Sequence, residues 1–319
     1  MPQRPVVSAA VVAAFAAVVA LTLAGCALTP PLAAAQGAGF DTVQVVSQDL
    51  GGGVHMLVGA GGNMGAFVGP DGVLLIDDQF APLTPKITAA LAKLSDRPLR
   101  FVLNTHWHGD HTGGNENLGR AGATIIAHDN VRRRLSVEQV RALWAQTVPA
   151  APKDALPVIT FSTAVTFHMN GDTVQVFHVP GGHTDGDAVV HFLAADVIHT
   201  GDLFFNGRYP VIDVDAGGSL AGMITAVDRL LPLVGPQTKL IPGHGPLAGR
   251  ADLEAFRAML VGVRDVLVPV VARAKTFDDV KAAAPTKAYD AVWARGSAAQ
   301  ADRFLRMCVG GMKRSLILP

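Results

Sequence analysis

The chain has 319 residues, half of them hydrophobic, and 26 basic side chains balance 26 acidic ones. With a mean hydropathy of +0.33 it is too apolar to be disordered and long enough to bury a sizeable core. Zero formal net charge and the lack of a long basic run argue against a phosphate-backbone binder, so no nucleic-acid partner is expected.

Segment 1–26 reads as a leader. Arg4 precedes an apolar run from Val6 to Leu23, and Leu23-Ala24-Gly25-Cys26 closes it with small residues and a cysteine. The tetrapeptide resembles a bacterial lipobox, which implies cleavage before Cys26 and a lipid on its thiol. A retained membrane anchor and cleavage after Ala33-Ala34-Ala35 are the alternatives. All three predict an exported, periplasmic body, and the first two attach it to the membrane. Cys308, the one other cysteine, lies in the apolar stretch "RFLRMCVGG", where a buried small hydrophobe is expected rather than a nucleophile.

Strands are predicted at 43–47, 54–58, 65–69 and 73–77, the last two joined by the turn Pro70-Asp71-Gly72. These form an antiparallel opening meander. A helix from about Pro82 to Leu94 leads into the strand "RFVLN", and further strands are expected at 123–127, 164–168, 173–179, 187–193 and 196–199. Helix 219–234 and strand 239–241 complete one α/β domain over 40–250, with 146–157 as a surface excursion. Beyond it, Leu253, Phe256, Leu260, Val263 and Leu267 recur at helical spacing. Pro269 is expected to kink or end that helix, and Thr276 with Asp279 resembles a capping box opening another. Residues 251–319 are therefore read as a C-terminal helical appendage packed on the same domain.

The chemistry concentrates in "NTHWHGDHTGGNE", Asn104–Glu116, at the carboxyl end of a predicted strand. In an extended segment His106 and His108 face one side and can grip one ion while Trp107 faces away. Gly109 lets the chain turn, so that Asp110 and His111 are aimed differently and suit a second ion. Gly113 and Gly114 permit close backbone approach where a helix begins, a place whose dipole also favours a negative charge such as a metal-bound hydroxide. Further candidates sit at other strand ends, next to glycines: His183 in "VPGGHTDGD", Asp202 in "IHTGDLFFNG" and His244 in "KLIPGHGP".

These four motifs, in this order over roughly residues 43–250, resemble the metallo-beta-lactamase superfamily. The resemblance implies a four-layer αββα sandwich with the metals at one edge between the two sheets. It implies one Zn²⁺ held by His106, His108 and His183, a second held by Asp110, His111 and His244, and Asp202 bridging them. Imidazole and carboxylate donors suit zinc, and two ions about 3.5 to 4 Å apart can share a hydroxide formed at neutral pH. The expected activity is hydrolysis of a small carbonyl substrate (an amide or lactam, a lactone or an ester, β-lactams among them) by that bridging hydroxide, with Asp110 orienting it. The β-lactamases of the superfamily usually carry cysteine or a non-bridging residue at the Asp202 position, whereas export fits a β-lactamase-like enzyme. Two rival expectations are a mononuclear iron persulfide dioxygenase of the same fold and a metal-binding lipoprotein without catalysis.

The remaining histidines have plainer readings. His55, His168, His178, His191 and His199 fall in predicted strands, with His178 and His199 as candidates to support the ligands, and His128 is expected to cap a helix or meet solvent. Asp77 is expected to hydrogen-bond the backbone of the ligand loop. Gly59–Gly65 reads as a mobile hairpin over the cleft. Asn206, Arg208 and Tyr209 could bind a carboxylate or oxyanion, although a structural loop suits at least two of them.

Overall fold

The computed structural model describes residues 39–317, so the leader and Cys26 lie outside the described residues. The chain divides into two units, Met1–Thr42 and Val43–Pro319, and the second contains the sheets and helices. Strands β1 (Val46–Gly51), β2 (Val54–Val58), β3 (Met64–Phe67) and β4 (Val73–Ile76) form the antiparallel meander. The first strand starts at Val46 rather than Val43 because Val46 pairs with Val58, the last residue of β2. Helix α1 (Thr84–Leu94) then returns the chain to β5 (Leu99–Asn104), which lies parallel to β4. The short helices α2 (Gly109–Thr112) and α3 (Asn115–Arg120) precede β6 (Thr124–His128), and α4 (Asp129–Leu135) follows it.

Residues 139–161 contain what the sequence pattern hid. A small hairpin of β7 (Gln139–Arg141) and β8 (Gln146–Val148) stands apart from both large sheets, and β9 (Ile159–Phe161) completes the first sheet beside β6. Each of the three strands is three residues long, too short to show an alternation. The second sheet comprises β10 (Ala164–Met169), β11 (Asp172–His178), β12 (Ala188–Phe192), β13 (Val197–Phe205) and β14 (Lys239–His244), with α5 (Leu220–Leu230) linking the last two in parallel. Strand β13 runs six residues past the predicted end at 199, carried through Gly201 and Asp202 by two register shifts against β14. Asp202 therefore lies within a strand, not after one.

The period of two decides the layers. Leu74, Ile76, Leu103 and Ile126 of the first sheet meet Val174, Val176, Val190, Phe192 and Ile241 of the second in one buried cluster. The intervening Leu75, Val102 and Ile125 are buried as well, because helices cover the outer face of this largely parallel region. On the far side of the second sheet, Ile198, Leu203 and Phe204 pack with α5 and with α6 (Arg250–Arg273), α7 (Phe277–Ala282), α8 (Asp290–Trp293) and α9 (Ala298–Met312). Cys308 is fully buried there, as expected. The result is an αββα sandwich with C-terminal helices.

Pro269 does not end its helix. The buried stripe Leu253, Phe256, Leu260, Val263, Leu267 and Val271 carries α6 on to Arg273. Phe256, with its ring centroid 5.2 Å from that of Phe204 and 5.8 Å from that of Trp293, joins the helices to the sheet. We expect Phe256→Ala to cost about 3 to 5 kcal/mol, measured as a lowered urea midpoint with an unchanged slope; a loss under about 1 kcal/mol would refute this role for the ring.

Candidate metal centre

The fold brings all seven predicted ligands together. They form two groups of potential metal ligands, His106, His108, His183 and Asp202 in one, and Asp110, His111 and His244 in the other. Strand β5 delivers the first cluster at its carboxyl end, the β11–β12 loop delivers His183, β13 delivers Asp202 and the last residue of β14 is His244. Trp107 turns away, as alternation requires, and packs on Ala127, Val131 and Ala216.

The hydrogen bonds on the outer side of each ring set its tautomer. His183 Nδ1–H donates to the Val211 carbonyl at 2.8 Å. His108 Nε2–H donates to Asp213 Oδ2 at 2.7 Å. The Thr105 hydroxyl donates to Asp77 Oδ2 at 2.8 Å, so it can accept from His106 Nδ1–H at 3.1 Å. All three rings thus turn lone pairs inward, yet His108 Nδ1 is 2.8 Å from His183 Nε2 and 3.2 Å from His106 Nε2. Lone pairs that close repel, and a cation among them removes the conflict. His111 repeats the pattern: its Nδ1–H donates to Asp77 Oδ2 at 2.7 Å, and its Nε2 is buried without a hydrogen-bond partner, as is Asp202 Oδ1 at 3.2 Å. Converging donor atoms with oriented outer partners fit a bound metal.

The electrostatics agree. Burial, then the neighbouring His111 and His183, hold the His106 pKa well below the usual imidazole range. Burial likewise brings His108 down to about 4. Burial acts against charge on His244 and His111 too, but Asp202 and Asp110 outweigh it and raise both, His244 to about 9. His106 and His108 thus favour the neutral imidazole, and the second group demands compensating positive charge.

Several supporting residues behave as expected. Asp77, at the end of β4 with φ of 60°, takes the Thr105 N–H at 2.7 Å as well as the His111 ring. His128 caps α4 through the Asn130 N–H, whereas His178 does not meet a candidate ligand: it stacks on His128 with centroids 3.7 Å apart and its ring bonds the Asp187 carbonyl. His199 is buried beside the centre, accepting from the Gly201 N–H and bonding the Asn63 carbonyl. Tyr209 is structural, its hydroxyl 3.0 Å from Asp290 Oδ1 and 3.2 Å from the Thr286 carbonyl.

Other expectations change. Gly59–Gly65 is no free hairpin: Gly62 N–H bonds the Asp110 carbonyl, Asn63 N–H bonds the Gly243 carbonyl, and Gln79 Nε2 donates to the Gly62 carbonyl. A Cβ on Gly62 would lie 2.1 Å from the His111 ring, so glycine is needed for close packing there. The carboxyl group beside Gly113 and Gly114 is Asp78, whose Oδ1 accepts the Gly114 N–H at 2.9 Å and whose pKa burial pushes well above the usual carboxyl range. Asp213, Arg141 and Asp187 escaped the sequence reading. Arg141 Nε lies 3.3 Å from Asp213 Oδ2, and Asp187 Oδ2 accepts the His183 and Thr184 N–H groups. Only the "HTDGD" string hinted at Asp187, and no sequence signal marked the other two.

Asp77→Asn provides a sharp test. An amide that keeps the Thr105 N–H bond through its oxygen presents NH₂ to His111 Nδ1, which favours the tautomer that points Nε2–H into the centre. We expect metal affinity to fall about 10- to 100-fold, read by chelator competition; unchanged affinity would refute the orienting role.

The metallo-beta-lactamase superfamily model matches residues 58–250. Among curated relatives, a hydroxyacylglutathione hydrolase of Pelagibacter ubique (strain HTCC1062) is 29% identical over 150 residues, covering 46% of this chain and 52% of that protein. A metallo-beta-lactamase type 2 of Bacteroides fragilis is 23% identical over 156 residues, covering 48% and 56%. The chain spans about half the length of the curated relatives it matches. Among solved structures, a metallo-beta-lactamase from Pontibacter korlensis aligns with a TM-score of 0.55 at 21% identity, over 68% of this chain and 99% of that one. With this family match, two metal-ligand groups at one sheet edge and an αββα fold, the chain belongs to the metallo-beta-lactamase superfamily.

Proposed function

We propose that the chain is a dinuclear zinc hydrolase of a small carbonyl substrate, an amide or lactam, a lactone or an ester. His106, His108 and His183 hold one ion in this reading, Asp110, His111 and His244 the other, and Asp202 serves both. The observation that carries it is the placement of Asp202. Its Oδ2 lies 3.5 Å from His183 Nε2 and 3.8 Å from His106 Nε2, while its Oδ1 lies 3.2 Å from His111 Nε2 and 3.4 Å from His244 Nε2. One carboxylate thus faces both groups, an arrangement that a mononuclear iron centre or a single storage site does not require.

Two zinc ions bound there supply Lewis acidity and a water that ionises near neutral pH. The chain's own groups do the rest. Asp110 is only partly buried, and its Oδ2 is 3.3 Å from His244 Nε2. Burial raises its pKa, but His111 and His244 overcome this and keep it below the usual carboxylate range. It is therefore ionised and placed to accept a hydrogen bond from the attacking water and orient it. The adjoining cavity, about 310 Å³ and lined in part by Phe80, Trp144 and Phe205, suits a small molecule and excludes some of the water around it. The hydroxyacylglutathione hydrolase and metallo-beta-lactamase relatives support hydrolysis as the reaction class, with β-lactams as one substrate to test.

The test is metal analysis of protein purified without added metal, followed by hydrolysis assays on β-lactams, lactones, esters, thioesters and phosphodiesters. We expect about two zinc ions per chain. Asp202→Ala should disturb both and nearly abolish turnover, while His244→Ala or His111→Ala should drop the content toward one ion and slow hydrolysis at least about a hundredfold. One iron per chain, oxygen consumption with a persulfide and tolerance of His244→Ala would overturn the reading.

We also propose that the protein is exported and anchored by lipid on Cys26, as Leu23-Ala24-Gly25-Cys26 suggests. Intact-mass analysis of membrane-extracted protein should find a lipidated N-terminal Cys26; a soluble mature form starting at Gln36 would refute it.

A further inference from the structure

The hairpin of β7 and β8 belongs to neither large sheet, yet it sends Arg141 into the supports of the metal centre. Asp213, fully buried, is the residue that Arg141 meets there. Its Oδ2 accepts the His108 Nε2–H at 2.7 Å and its Oδ1 the Ala216 N–H at 3.1 Å, while its own N–H donates to the His183 carbonyl at 2.9 Å. One residue thus touches two candidate ligands. A buried carboxylate with only these donors still needs a counter-charge. Among the described residues Arg141 is the only arginine or lysine within ion-pair distance of it, with Nε 3.3 Å from Asp213 Oδ2.

Charge rather than a directed bond holds this pair, because Arg141 Nε is buried and makes no hydrogen bond. The aim of the guanidinium comes from its other neighbours. Its carbon lies 4.2 Å from the centroid of the Trp144 ring and 5.8 Å from that of Trp107, and its Nη1 donates to Gln146 Oε1 at 3.2 Å. Trp107 stands between His106 and His108 in the chain, and its ring centroid is 4.9 Å from that of His108. Arg141 therefore reaches His108 by two routes, through Asp213 and through Trp107. A hairpin of two three-residue strands is marginal by itself. Here Leu143 packs against the C-terminal helical cluster and Arg134 Nη1 donates to Gln139 Oε1 at 2.9 Å, so both its tip and its base are pinned.

We propose that Arg141 is a positioning residue of the metal centre: by fixing the Asp213 carboxylate it keeps His108 Nδ1 turned toward His106 and His183. The β7–β8 hairpin then belongs to the metal-binding machinery although it supplies no ligand. Arg141, Trp144 and Gln146 also line the cavity in front of the ligands, so the wall that a substrate meets and the support of a ligand are one element. The inference rests on the reading of these groups as a metal site, and not on hydrolysis or on any substrate.

The experiment uses Co²⁺ as the probe and reads, for each variant, its affinity by chelator competition, the visible absorption of the Co²⁺ protein and a thermal melt of the metal-free protein. Arg141→Met keeps an apolar stem between the tryptophans and removes the charge; it should weaken Co²⁺ about tenfold and shift the visible bands. Arg141→Lys restores the charge and should return the spectrum and an affinity within about threefold of wild type. Asp213→Asn should weaken Co²⁺ by about the same factor as Arg141→Met, and combining the two should cost less than about twofold more, because the residues act as one unit. A wild-type affinity and spectrum in Arg141→Met, even with a lowered melt, would make the arginine a structural residue of the hairpin and overturn the proposal, as would losses that multiply in the double variant. Should Arg141→Met not fold with Asp213 left buried and unpaired, the double variant, which carries neither charge, decides in the same way against Asp213→Asn alone. Wild type that binds neither Co²⁺ nor Zn²⁺ would overturn the metal reading and this inference with it, whereas failure of every hydrolysis assay would overturn the hydrolase reading alone.

Discussion

Imidazole lone pairs that converge inside a buried space constrain everything around them. His106, His108 and His183 aim acceptor nitrogens at one another, while His111 and Asp202 hold buried atoms without hydrogen-bond partners. In a protein without a cation, such an arrangement costs several unmet polar interactions at once. The surrounding fold maintains it by occupying the outer side of every ring: Asp213 for His108, the Val211 carbonyl for His183, Asp77 for His111 and Thr105 for His106. Asp77 links two of these, since it holds the Thr105 hydroxyl and the His111 ring together. The centre is therefore a property of its supporting bonds as much as of its ligands.

The sandwich explains why the groups meet. Parallel strands β5 and β14 end at the same edge, and the register shifts in β13 turn Asp202 toward it. The inter-sheet cluster of Phe67, Leu103, Val190 and Phe192 sets the sheets side by side, so ligands from three strands and one loop need only short reaches. Tight packing of this kind resists small displacements, and glycines at 62, 113, 114 and 243 remove the side chains that would collide with the centre and its supports.

The C-terminal helices have two connected roles. They cover the outer face of the second sheet with Leu253, Phe256, Leu260 and Phe304, and through Trp293 and Arg295 they hold the residues on either side of Arg208. The packing that buries Tyr209 therefore also fixes the backbone beside the cavity that Arg208 lines.

The sequence by itself determined the candidate ligand set, the alternating strands and the helical character beyond Asp252, because each is written in local spacing: H-x-H-x-D-H, a period of two, and a period near four. Glycine next to each remaining candidate marked His183, Asp202 and His244. Tertiary structure alone decided which residues orient those ligands. Asp213 and Arg141 are separated by 72 positions and reach His108 only because the β7–β8 hairpin and the loop after β13 come together. It also decided that the Gly59–Gly65 loop is tied down and that β13 continues through Asp202. The physical reason is common to all of these. Local spacing dictates which way a side chain points along its own element, whereas a hydrogen-bond partner or a strand's length depends on neighbours that arrive from distant parts of the chain.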